Sequence, residues 1–308
     1  TAGSGGHVTV DQRSCPPRLR GFRPVQQLGQ HPQRVVGFRV FEVEHHRRRR
    51  HRVARARNRP QVFVELVQRL GVIALVLGQR IVEKVAAEQE LEEELANANF
   101  ALDYIGQARM FYAYAGELEG NGRGEDDLAF LRDEHEFRNL LLLEQPNGHF
   151  GDSIAKLVLF ELFYFSQLEA LSGCGDMRLA EIAARAVKEI RYHLRHNTQW
   201  LVRLGDGTEE SHRRVQASLD ELWRFTGEMF EADEIDTIME RAWGGPSLEK
   251  LRERWLSDID AILINATLDM PESGWMASGG KAGRHSEHLG YMIAEMQYLQ
   301  RANPGANW

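Results

Sequence analysis

From about residue 61 onward, apolar residues recur at intervals of three and four, the spacing of a helix with one buried face. Val62, Val64, Leu66, Leu70, Ile73, Leu77 and Ile81 predict a first helix. Leu91 to Leu118 predict a second, rich in Ala, which the Gly-Asn-Gly-Arg-Gly run at 120–124 ends. A short helix is expected over Asp127–Phe137, and Asn147-Gly148 marks a turn. Further helices follow at about Asp152–Leu171, Met177–Leu204, Thr208–Phe230 and Leu248–Ala266. A Gly- and Ser-containing loop with Pro271 then leads to a last helix, about Ser286–Arg301. No alternating strand pattern of any length is present, so the expected fold is all-α.

Composition divides the chain near residue 60. Residues 1–60 hold 14 Arg, no Lys and 3 acidic residues, and lack Ile, Met, Tyr and Trp. The run Arg47 to Arg50 between histidines has no helical or strand period. This segment reads as a disordered or artefactual basic extension, such as an upstream-extended start, and 61–308 as one helical domain. A nucleic-acid-binding arm is the rival reading, but it lacks interleaved aromatics to stack on bases. The remaining chain holds 24 basic and 42 acidic residues, a net of −18. No apolar run reaches the ~18 residues of a membrane span, because Arg80 and Glu83 interrupt the best stretch. The start lacks the apolar region of a signal peptide. Two cysteines, Cys15 and Cys174, make neither a disulfide framework nor a Cys-x-x-Cys site, as expected for a cytoplasmic protein.

Four of the expected helices each carry a polar group on or beside an apolar stripe. These are Gln79 or Glu83 on the first, Asn99 or Asp103 on the second, Glu161 on the helix from 152, and Glu189 with His193 on the helix from 177. That is the layout of a ferritin-like carboxylate bundle with additional C-terminal helices. Such a bundle binds two metals with one Glu from each of two helices and Glu-x-x-His from each of two others. Here Glu189 and His193 are four apart, not three, and the second helix has no histidine. The one Glu-x-x-His, Glu209 to His212, opens a helix, where Glu209 and Glu210 complement the helix dipole. Asn99, Asp103, Glu161, Glu189 and His193 are therefore expected to form a closed polar network that includes a Glu189–His193 hydrogen bond, with no metal and no catalytic residue. His196 is expected to face outward, and His285 and His288 to be capping or interface residues. An active di-metal oxygenase or ferroxidase remains the alternative.

Several stretches resemble the PaaC-type small subunits of bacterial phenylacetyl-CoA epoxidases. They are residues 95–109, 139–148, 188–195, 222–226 and 233–236, and above all the closing Gly279 to Gln300. The resemblance covers about Leu66 to Trp308. It implies a structural subunit of a monooxygenase that epoxidises the aromatic ring of phenylacetyl-CoA. The di-iron cofactor would lie in a larger ferritin-like partner, with a small bridging subunit and a reductase in the same system. It also implies contacts with the CoA end of the substrate at Glu136, Phe137, Arg138 and Asn139, and at Thr237, Ile238 and Met239. Phe137 and Arg138 suit adenine stacking and phosphate pairing, although the family often has a smaller residue where Arg138 stands. Tyr112, Tyr114, Tyr164 and Trp223, near helix ends, are expected at an obligate interface with that partner.

Overall fold

The computed structural model describes residues 59–306 except 86, 88 and 89. The reading of residues 1–60 as a disordered or artefactual arm lies outside the described residues, apart from 59 and 60, which begin the first helix. Among the described residues there are ten α-helices, three short 3₁₀ segments and no strand.

The core is two long hairpins. Helix α1 (Arg59–Val85) runs along α2 (Leu91–Glu119), and α5 (Phe150–Leu171) along α6 (Met177–Gly205). Two turns of α1 carry Gly because α2 comes so close. A Cβ on Gly71 would sit 2.6 Å from the Tyr112 ring, and one on Gly78 would sit 3.1 Å from Ile105. Helix α1 is buried on nearly every side, from Val62 and Phe63 to Leu77 and Ile81. Against expectation, its Pro60–Val85 stretch is long and apolar enough to cross a membrane. Most of that stretch is buried inside the fold, as in the core helix of a globular domain.

Between the hairpins lie α3 (Glu125–Phe130), a 3₁₀ turn at Glu134–Glu136 and the single turn α4 (Leu141–Glu144). The predicted helix over 127–137 is thus interrupted. Asp133 does not continue α3; its backbone N–H donates to Glu136 Oε2 at 2.8 Å, which starts a new turn. Helix α7 (Glu209–Trp223) ends earlier than predicted, because the Thr226 hydroxyl caps the Trp223 carbonyl at 2.8 Å before a 3₁₀ turn at Gly227–Phe230. Helix α8 (Glu234–Trp243) has no counterpart in the sequence reading. It buries only Ile235 and Met239 and depends on its Asp233 cap, which accepts from Asp236 N at 2.9 Å. Helix α9 (Leu248–Asn265) and α7 cover α5, and α10 (Glu287–Ala302) packs on α3.

Candidate functional site

Where a ferritin-like bundle would hold metal, three helices project polar side chains inward. Helix α2 supplies Asp103, Tyr104 and Gln107; α5 supplies Glu161 and Tyr164; α6 supplies Glu189, His193 and Asn197. Glu161 is fully buried, and both of its oxygens are taken. Oε1 accepts from the Tyr104 hydroxyl at 3.0 Å and Oε2 from Asn197 Nδ2 at 2.8 Å. His193 is equally buried, with Nε2 at 2.9 Å from Asp103 Oδ2. A carboxylate only accepts, so Nε2 carries the proton and Nδ1 is left bare. Nδ1 has no hydrogen-bond partner and faces Glu161 Oε1 at 4.0 Å. A second set lies beside it. Gln107 donates to Glu189 Oε2 at 2.9 Å and accepts from the Tyr164 hydroxyl at 3.1 Å.

Burial pushes the Glu161 carboxyl up to about 8, even though the hydrogen bonds from Asn197 and Tyr104 favour its charged form. It is a neutral acid at neutral pH, facing an imidazole lone pair. Burial, with Glu161 beside it, also holds the Tyr104 hydroxyl well above the usual phenol range. The site therefore keeps its protons.

This arrangement corrects the sequence reading in three places. Asn99 is exposed and outside the network. The inward face of α2 is Asn97, Phe100, Ala101, Tyr104 and Gln107, whereas Leu95 and Leu102, taken as its stripe, point out. Glu189 is joined to Gln107 and, through Oε1 at 3.3 Å, to Arg185 rather than to His193. His196 faces the α2–α6 seam, not solvent, with Nε2 at 3.0 Å from Glu93. On α1, Glu83 is exposed and pairs with Arg80 at 2.8 Å. Tyr104, Gln107, Tyr164 and Asn197 escaped the reading, although Asn197 stands one turn beyond His193 and could have been placed on its face.

The residues present do not fit a di-iron pair. Such a pair needs several carboxylates and two histidines around it. Here Phe100 and Tyr104 pack their rings on His193 at centroid distances of 4.2 and 5.2 Å, where ligands would have to stand. Among the described residues no group of three or more His, Cys, Asp or Glu is placed to share a metal.

The CoA-contact candidates separate into two groups. Glu136 and Arg138 line a cavity of about 670 Å³ beside α1 and the end of α2, together with Arg69, Arg123 and Arg132. Phe137 is fully buried under the Arg132 guanidinium, 4.7 Å from its ring centroid, so its faces are not open to an adenine. Asn139 is also fully buried, and neither Nδ2 nor Oδ1 has a partner. Thr237, Ile238 and Met239 lie on α8 away from the cavity lining; Met239 is buried and the Thr237 hydroxyl donates to the Asp233 carbonyl at 2.8 Å. Arg69 links the two regions by holding Asp233 and, at 3.2 Å, Asp236. Burial works to raise the Asp233 carboxyl, but the neighbouring Arg69 charge outweighs it and holds the group down at about 2.

The remaining histidines are structural. His285 Nδ1 lies 2.7 Å from Glu144 Oε1, and Ser286 donates to the other oxygen, so Glu144 pins the segment before α10. His212 holds the Gly205 carbonyl at 2.8 Å. Cys174 is buried. Tyr112, Tyr114, Tyr164 and Trp223, expected at an interface, are all buried within the chain.

Two antiparallel helical hairpins around a polar centre, with added C-terminal helices, define an all-α, ferritin-like bundle. The profile of the family described as Phenylacetic acid catabolic protein matches residues 50–308, and the chain belongs to that family. A curated relative from Escherichia coli (strain K12) is named as the C-type subunit of 1,2-phenylacetyl-CoA epoxidase. It is 48% identical over 240 residues, which span 78% of this chain and 96% of the relative.

Proposed function

We propose that this chain is a supporting, non-catalytic subunit of a phenylacetyl-CoA epoxidase complex, and that oxygen activation takes place on a di-iron partner subunit. The observation that carries this reading is the content of the bundle centre. Glu161 is occupied by Tyr104 and Asn197, Glu189 by Gln107 and Arg185, and the single buried His193 by Asp103. Each would-be ligand is already satisfied within the protein. The likeness to a relative named as an epoxidase subunit supplies the reaction. In this reading the chain's own residues hold the four helices in register and present a finished surface to the partner.

Two measurements test it together. The purified chain is loaded with ferrous iron, desalted and assayed for bound metal. Turnover of phenylacetyl-CoA is then followed with the chain alone and with the catalytic partner added. The expected result is no retained iron and no turnover alone, with activity in the assembled complex. A stoichiometric iron pair on this chain, or epoxidation by it alone, would overturn the proposal.

A further inference from the structure

Helix α2 is apolar on two faces. One is the core face of Phe100, Ala101, Tyr104, Ala108 and Phe111. The other runs Leu91, Leu95, Ala98, Leu102 and Ile105, spaced 4, 3, 4 and 3 residues, the repeat that packs a helix against a second helix. Three of these leucines stand in the open: Leu91 at 66%, Leu95 at 56% and Leu102 at 67% exposure. On α6 beside them, Tyr192 is 52% exposed. A helix that is hydrophobic all round belongs in an interior, so the outer face of α2 lacks a cover.

The same face continues into a groove of about 420 Å³ between α2 and α6. Its floor is Gly106, Met110, Ala113 and Ile182. A Cβ on Gly106 would meet nothing within 4 Å, so the groove is open to an incoming side chain. Its rim is basic, with Arg109, Arg178 and Arg185. Arg109 and Arg185 each hold one carboxylate of their own chain and remain 68% and 70% exposed. The opposite end of α2, beside the leucine ridge, is acidic, with Glu90, Glu92 and Glu94.

The face therefore carries a ridge with carboxylates at one end and a groove with guanidiniums at the other. That is what a two-fold, isologous contact requires of a single surface. We propose that this face binds a second copy of the same chain, with the two α2 helices antiparallel and the axis near Leu102. This arrangement sets Leu95 of one copy over Met110 of the other and Leu91 over Ala113. It also brings each Glu92–Glu94 end within about a turn of the other copy's Arg109. The pairing goes beyond the supporting-subunit reading and does not depend on it.

The full chain is measured by sedimentation and light scattering over a range of concentrations, with helix content and melting temperature as controls. A dimer is expected. Leu95→Glu with Leu102→Glu should weaken it about 100-fold or more, as removal of two central interface anchors does. Both leucines are exposed, so folding should be unaffected. Glu94→Arg and Arg109→Glu should each weaken the dimer, and the double exchange should restore it, a recovery that general unfolding cannot mimic. A monomer at every concentration overturns the proposal, as does a dimer indifferent to all four variants. So does a face that loses binding only to a different epoxidase subunit while the isolated chain stays monomeric, and that result leaves the non-catalytic assignment standing.

Discussion

The α1–α2 seam and the α2–α6 seam share a helix but are built from different chemistry. Along the first, α1 and α2 meet closely enough that Gly71 and Gly78 must lack side chains, and the lining is Leu, Val, Ile, Ala and aromatic rings. Along the second, contact is sparser and polar bridges span the gap: Gln107 to Glu189, Asp103 to His193, and Glu93 to both His196 and Trp200. Apolar packing is strong but undirected, and its sequence mark is periodicity. Hydrogen bonds in a buried seam add little net stability, yet they penalise any misalignment that leaves a partner unmet. One seam holds the bundle together; the other fixes how its two hairpins are aligned.

The largest expected effect comes from breaking the polar seam at its centre. Glu161→Ala strands the Tyr104 hydroxyl and Asn197 Nδ2 in a buried site and should cost on the order of 3 kcal/mol in denaturant unfolding. Glu161→Gln keeps both bonds, and its signature is in pH. The folded carboxyl holds its proton up to about 8, whereas the unfolded one releases it near 4.5. Stability should therefore fall as pH rises through that window and level off above it. The glutamine variant should lose this slope. Burial lowers Lys156 from 10.5 to about 7, so a separate rise in stability above about 7 should persist in that variant. An unchanged slope in Glu161→Gln would mean that the carboxyl is ionised in the fold.

The apolar seam is tested by Gly71→Val. Its Cβ would meet a Tyr112 ring that is itself buried and has nowhere to turn, so overpacking should cost roughly 1–3 kcal/mol despite the better helix former. A neutral or stabilising result would show that the seam can relax. The smallest effect is expected for Glu189→Ala. Glu189 sits at the edge of the network, partly exposed, with Gln107 and Arg185 as partners. Its loss should cost about 1 kcal/mol, far less than for a buried partner of His193. A loss as large as that of Glu161→Ala would make the two polar sets one unit.

The long helices were legible because each repeats its apolar spacing over many turns, as in the α6 stripe Leu179, Ile182, Ala183, Ala186 and Ile190, all buried. Helix α8 was not, because ten residues with two buried side chains leave no period to detect. On α2 the signal misled for a physical reason. Both faces are apolar, so periodicity could not say which turned inward, and Asn99 was placed in the core while Tyr104 and Gln107 were overlooked.

The sequence by itself determined the all-α class, the main hairpins, the shortage of histidine and carboxylate for a metal pair, and the burial of Glu161. Each of these follows from local spacing or from residue inventory. Only the tertiary structure decided who bonds whom. Asn197 and Tyr104 reach Glu161 from two other helices, across 36 and 57 residues of chain, and Asp103 reaches His193 across 90. No local pattern encodes such partners, because they depend on the rotation and axial offset of whole helices, which the packing of every other side chain sets at once.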